Sequence, residues 1–71
     1  MSSPLTPPKL SAEQQIHTLL TAKYYGGMFY RNLAAAALVA DPVNRDTLLT
    51  AFPGINATYG PKSVFYREDL G

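Results

Sequence analysis

Apolar residues recur at helical spacing from position 12 onward. Ile16, Leu19 and Leu20 follow one another at three- and four-residue intervals or side by side, with polar residues in the other directions. Such a pattern is typical of a helix with one apolar face. Ser11 and Gln14 have the spacing of a capping box, in which each side chain bonds the other residue's backbone amide. The pattern therefore predicts a helix that begins near residue 12.

A glycine pair, Gly26-Gly27, interrupts this apolar pattern without shifting its phase. Each glycine costs about 1 kcal/mol relative to alanine inside a helix. At about 100° per residue, however, the small and apolar residues beyond the pair lie on the same stripe as those before it. We therefore expect one continuous helix over about 12–40. A second backbone would approach it closely at its small or apolar packing positions, which are Gly26, Gly27, Ala34 and Leu38.

Asp41-Pro42 predicts the end of this helix and the start of another. Proline disfavours helical geometry in the residue before it and is favoured at the first helical position, while aspartate is a good N-cap. The second helix is expected over about 42–52, packed back as a helical hairpin. Its apolar positions are Val43, Leu48, Leu49 and Phe52. Its exposed positions are Asn44, Arg45, Asp46 and Thr47.

Proline and glycine break the pattern again after residue 52. Pro53 either ends the ordered pattern or opens a short third helix that turns Ile55 and Tyr59 inward. Residues 61–71 contain a strand-like Val-Phe-Tyr run without a partner strand in the chain, so we expect a last helical turn or an arm that docks on another subunit. The predicted fold class is all-α, with a long helix, a hairpin to a second helix and a short helical or extended C-terminal segment.

Composition favours one small domain that associates with itself. The chain has 71 residues, of which 46% are hydrophobic and 15% charged, and a domain of this size buries only about 60% of its unfolded surface. The absence of cysteine excludes a disulfide framework and a thiolate zinc site. Oligomerisation is the common alternative, so a homo-oligomer is expected. Residues 1–10 carry three prolines and predict a proline-rich arm, followed by one helical domain over 11–71.

Charge and hydropathy exclude several kinds of partner. The net charge is +1 and the six cationic residues are spread along the chain, which argues against binding to DNA or RNA. The longest apolar run, Leu33–Ala40, is far shorter than the roughly 20 residues of a membrane span, and no secretory signal is recognised at the start. A cytoplasmic location is expected. His17 is the only histidine and no serine lies one helical turn from it, so no catalytic residue, metal or cofactor is predicted.

Aromatic residues and arginines occur together at two places in the chain. Rings beside a guanidinium are how a non-enzymatic pocket holds a nucleobase and its phosphate, and the same composition marks hot spots of protein interfaces. Aromatic residues at helical spacing also form the core of many small domains. A core or self-assembly surface, a partner-protein surface and a small-ligand pocket all stay open. The candidate binding residues are Tyr24, Tyr25, Phe29, Tyr30, Arg31, Phe65, Tyr66 and Arg67.

A longer pattern in the second half of the chain carries a resemblance. It comprises Ala40-Asp41-Pro42, Asn44-Arg45, Leu48-Leu49 and Ala51-Phe52-Pro53, followed by Tyr59-Gly60-Pro61, Ser63 and Phe65-Tyr66. Over residues 24–67 the chain resembles small uncharacterised proteins encoded by bacteriophages and prophages. The resemblance contains no catalytic motif and transfers no functional residue. It implies a host-takeover or counter-defence factor that acts by binding, in the cytoplasm of the host cell.

We therefore expect a non-enzymatic binding protein that self-associates and blocks a host protein. One alternative is an oligomeric sponge that sequesters a nucleotide-like immune signal between subunits, held by Arg31, Arg67 and Tyr66. Another alternative is a small structural subunit of a larger assembly.

Overall fold

The computed structural model describes residues 10–70, which contain helices and no strand. The predicted all-α class is therefore confirmed. The proline-rich arm predicted for residues 1–10 lies, apart from Leu10, outside the described residues. The helices of the described part are α1 (Ala12–Tyr25), α2 (Met28–Leu38), α3 (Pro42–Ala51) and α4 (Pro53–Tyr59).

Two predicted helix starts are confirmed, and both depend on side-chain caps. The Ser11 hydroxyl accepts the Gln14 amide proton over 3.1 Å, and the Gln14 side-chain oxygen accepts the Ser11 amide proton over 3.1 Å. The Asp41 carboxylate likewise accepts the amide protons of Val43 and Asn44, each over 3.2 Å. Hydrogen bonds from the backbone and side chain of Asn44 are the main reason that the pKa of Asp41 lies below its usual value.

The expectation of one continuous helix over 12–40 is wrong. α1 ends at Tyr25, and Gly26 and Gly27 both have extended backbone angles before α2 begins at Met28. These angles suit any residue, so what requires glycine at position 26 is space. A Cβ atom there would lie against the Ala22 carbonyl oxygen and only 3.0 Å from the Tyr30 Cβ atom. The break lets α1 and α2 fold against each other, and they form the most extensive helix–helix contact.

The predicted packing positions take different places once the helix is broken. Ala34 is fully buried, and Leu38 is partly buried against the core. Gly26 is buried at the corner between the two helices, whereas Gly27 is exposed and a Cβ atom on it would meet nothing within 4 Å. The predicted packing positions do not lie on one helix face, because the helix is interrupted at the glycine pair.

The core is small and lies between α1, α2 and α4. α4 turns Ile55 and Tyr59 inward, at 0% and 9% exposure, which confirms the predicted short helix opened by Pro53. α3 contributes no fully buried residue, and Leu48 and Leu49 pack partly buried against the core. The buried hydrophobic residues are Leu19, Ala22, Ala34, Ala37, Ile55 and Tyr59.

Arg45 on α3 was expected to be exposed, and this is wrong because its side chain caps the end of α2. Its guanidinium donates to the carbonyl oxygens of Ala37 over 3.0 Å and Ala40 over 2.9 Å. Carbonyl oxygens at the end of a helix lack the amide partner of a following turn, and the negative end of the helix dipole favours a cation there. The Ala37 oxygen also accepts the Ala40 amide proton over 3.2 Å. Val43, on the predicted apolar face of α3, is instead 74% exposed.

The segment after α4 turns back and docks on α1 of the same chain. The Thr21 hydroxyl donates to the His17 carbonyl oxygen over 2.7 Å and accepts the Arg67 amide proton over 3.1 Å. Residues 61–70 form turns and bends without a helix or strand, so the predicted last helical turn is wrong. The alternative of an arm on another subunit stays a prediction, while within the chain these residues contact α1. We call residues 61–70 the tail.

Candidate binding surface

Seven of the eight aromatic side chains form one continuous series of ring contacts, which we call the aromatic ribbon. Successive ring centroids lie 4.8 to 6.2 Å apart, within the range of favourable aromatic pairs. The rings meet at tilted or edge-to-face angles, as the quadrupoles of aromatic rings prefer. In order along the ribbon, the members are Tyr24, Tyr25, Phe65, Tyr59, Tyr30, Phe29 and Phe52.

The glycine break and the tail together create this order. Tyr25 and Tyr30 are close in sequence but lie on different helices, since Gly26 and Gly27 separate α1 from α2. Two distant rings stand between them in the ribbon: Phe65 from the tail touches Tyr25 at 5.3 Å, and Tyr59 from α4 touches Tyr30 at 6.2 Å. The ribbon therefore connects α1, α2, α4 and the tail.

The middle of the ribbon is buried and its two ends are exposed. Tyr59 belongs to the core and Tyr30 is partly buried beside it. Gly54 leaves room for the Tyr30 phenol, because a Cβ atom on Gly54 would lie 2.6 Å from its oxygen. At the ends, Tyr24 and Phe29 are each 61% exposed, and the other three rings are 38–43% exposed. The core thus anchors the ribbon while both ends face solvent.

Arg67 holds the end of the ribbon that carries Tyr24. Its guanidinium pairs with both carboxylate oxygens of Asp69, at 2.9 Å and 2.5 Å, and donates to the Tyr25 hydroxyl over 3.4 Å. Its central carbon lies 5.7 Å from the Tyr24 ring centroid, a cation–π distance. The hydrogen bond to Asp69 is the main reason that the pKa of Arg67 is raised and that of Asp69 is lowered. Arg67 therefore links the tail to the last turn of α1, and the Asp69 carboxylate compensates its charge.

Tyr66 and Arg31 lie outside the ribbon. The Tyr66 hydroxyl donates to the Glu68 carboxylate over 3.1 Å, and the ring meets His17 edge-on at 6.5 Å. Burial, followed by the bond to Glu68, raises the pKa of Tyr66. Arg31 is exposed, and no ion pair or ring contact joins it to the other candidate residues in the described part of the chain.

A groove runs beside the Tyr24 end of the ribbon, between the last turns of α1 and the tail. It has a volume of about 280 Å³, and its lining residues are Leu20, Lys23, Tyr24 and Leu70. Sequence reasoning missed this groove, because Leu70 is brought to α1 only by the docking of the tail. It also missed Phe52 and Tyr59 as members of the surface, since no local pattern connects them to the aromatic residues around the glycine pair.

The residues at this surface are suited to non-covalent binding. Aromatic rings, the Arg67 guanidinium and aliphatic side chains would contact another molecule by apolar burial, stacking and a few hydrogen bonds. Between residues 10 and 70, no three His, Cys, Asp or Glu side chains are grouped to hold a metal ion. No helix in that range combines the length and the apolar character needed to cross a bilayer.

Comparison with known proteins adds no relative to this description. No protein-family model, curated protein or solved structure matches the chain.

Proposed function

We propose that this chain is a non-enzymatic binding protein that self-associates and blocks a partner protein through the exposed ends of the aromatic ribbon. The observation that carries the proposal is the ribbon itself, in which seven rings contact one another in series and both ends face solvent. Clustered exposed apolar surface is uncommon on monomeric proteins and marks interaction sites.

The two ends differ in a way that suits two kinds of contact. The end with Phe29 and Phe52 is apolar, and Met28, beside Phe29 in sequence, is 79% exposed. Homodimer interfaces are more apolar than other interfaces, so this end is assigned to self-association. The other end presents Tyr24 with Arg67 over its ring, and tyrosine and arginine are the residues enriched in interface hot spots. This end is assigned to the partner.

The geometry favours a protein partner over a nucleotide-like signal. Arg67 already has a bidentate carboxylate partner in Asp69, and the Tyr66 hydroxyl already donates to Glu68. A phosphate at this place would have to displace one carboxylate and lie close to another, which is electrostatically unfavourable. The resemblance of residues 24–67 to phage-encoded proteins supplies the setting of the proposal, a host-takeover or counter-defence factor that blocks a host protein.

Light scattering coupled to size exclusion tests the self-association. The wild-type chain is expected to elute as a dimer or larger oligomer at tens of micromolar, and Phe29→Ser is expected to shift it to the monomer. Val39→Ser is the matched control, because Val39 is 87% exposed and lies outside the ribbon. A monomeric wild type, or equal effects of the two substitutions, would contradict the assignment.

Affinity capture from host lysate tests the partner contact. A protein retained by the wild type and by Val39→Ser, but lost with Tyr24→Ala, supports the proposal. A protein that Tyr24→Ala still retains at full yield would show that the Tyr24 end is not the binding surface.

A further inference from the structure

The groove between α1 and the tail has an apolar lining and one charged side chain. Leu20 and Leu70 are partly buried, Tyr24 contributes its ring, and Lys23 is exposed. The volume of about 280 Å³ lies near the lower limit of small-molecule sites, which is about 300 Å³. A helix or strand of a partner protein is too large for such a space, so a small ligand fits it better.

Lys23 is the uncompensated charge of this groove. Within residues 10–70, no carboxylate forms an ion pair with Lys23, and Asp69 pairs with Arg67 instead. The other nearby acid of the tail, Glu68, accepts the Tyr66 hydroxyl proton. Lys23 lies in the last turn of α1, and side chains on a helix lean toward its N-terminus, here toward the turn that carries Leu20.

We propose that this groove binds a small amphiphilic monocarboxylate. The apolar body of the ligand packs against Leu20, Leu70 and the Tyr24 ring, and its carboxylate pairs with the Lys23 ammonium. Burial of the apolar body supplies most of the affinity, while the exposed ion pair adds a smaller part and sets the preference for an anion. The site shares the Tyr24 ring with the proposed partner surface and stands apart from the proposed self-association, which uses the Phe29 end of the ribbon.

Titration with octanoate below its micellar range, followed by NMR of the full chain, tests the site. Saturable shifts are expected at the methyl groups of Leu20 and Leu70. The neutral probe 1-octanol, which has the same chain length, is expected to bind about two- to five-fold more weakly, the ratio that an exposed ion pair provides.

Two lysine substitutions separate a specific contact from general attraction of an anion. Lys23→Gln is expected to lower the affinity for octanoate to that for 1-octanol and to leave 1-octanol binding unchanged. Lys62→Gln removes the same charge from an exposed lysine that does not line the groove, and it is expected to leave both affinities unchanged.

Several results would overturn the proposal: no saturable shift with octanoate, equal affinity for the two probes, shifts confined to other residues, or equal losses in the two lysine variants. Repeating the titration with Phe29→Ser keeps this test separate from the self-association. Octanoate binding is expected to persist in that variant.

Discussion

The buried core and the aromatic ribbon are built from opposite kinds of side chain. Three of the six buried hydrophobic residues are alanines, namely Ala22, Ala34 and Ala37. The ribbon, by contrast, contains seven rings, of which Tyr59 alone also belongs to that buried set. Alanines at the contact let α1 and α2 approach closely, and interiors packed at crystal-like density leave no room there for large rings.

This contrast indicates a division of roles. We expect the core to supply most of the stability, whereas five of the seven ribbon rings are 38–61% exposed to solvent. Tyr59 joins the two regions, since it is 9% exposed in the core and touches both Tyr30 and Phe65 in the ribbon.

The largest expected effect comes from shortening a core side chain. Leu19→Ala removes a side chain that is fully buried and is expected to lower the free energy of unfolding by about 2–5 kcal/mol. Phe29→Ala, in the exposed part of the ribbon, is expected to cost less than about 1 kcal/mol. Urea unfolding followed by circular dichroism, at a concentration where each variant is monomeric, measures both. Equal losses of unfolding free energy in the two variants would contradict this division, because they would show that the ribbon stabilises the fold as much as the core does.

A smaller loss is expected when an alanine of the core is enlarged. Ala34→Leu forces extra atoms between closely packed helices and is expected to cost about 1–3 kcal/mol. Ala36→Leu makes the same change at an exposed position of the same helix and is expected to change the unfolding free energy by no more than about 0.5 kcal/mol. If Ala34→Leu cost no more unfolding free energy than Ala36→Leu, close packing of α1 against α2 would not explain why the aromatic rings lie outside the core.

The smallest expected effect concerns the contact that holds the tail. Thr21→Val keeps the side-chain shape but removes the acceptor of the Arg67 amide proton, at a cost of about 1–2 kcal/mol. Amide exchange at Arg67 is expected to accelerate, and the ribbon is expected to lose the Tyr25–Phe65 contact. Thr47→Val, at an exposed threonine of α3, serves as the control. Unchanged exchange at Arg67 would show that other tail contacts suffice.

Sequence reasoning succeeded where a structure depends on near neighbours. The Ser11 cap and the Asp41 cap involve residues two or three positions away, and the inward turn of Ile55 follows from helical spacing after Pro53. The break at the glycine pair does not follow from helical phase, because phase carries no information on the conformational entropy that two consecutive glycines lose in a helix. Sequence reasoning also failed at Arg45, whose partners are carbonyl oxygens at the end of a different helix.

The helical class, two capped helix starts and an excess of aromatic residues over what a small core accommodates are all predictable from the sequence. These properties depend on local hydrogen bonds and on composition. The tertiary structure decided which rings meet and which charges are compensated. Thr21 and Arg67 are 46 positions apart and Tyr25 and Arg67 are 42 apart, so their contacts exist only because the tail returns to α1. Such contacts depend on how the helices pack, and the local pattern of apolar and polar residues does not predict that packing.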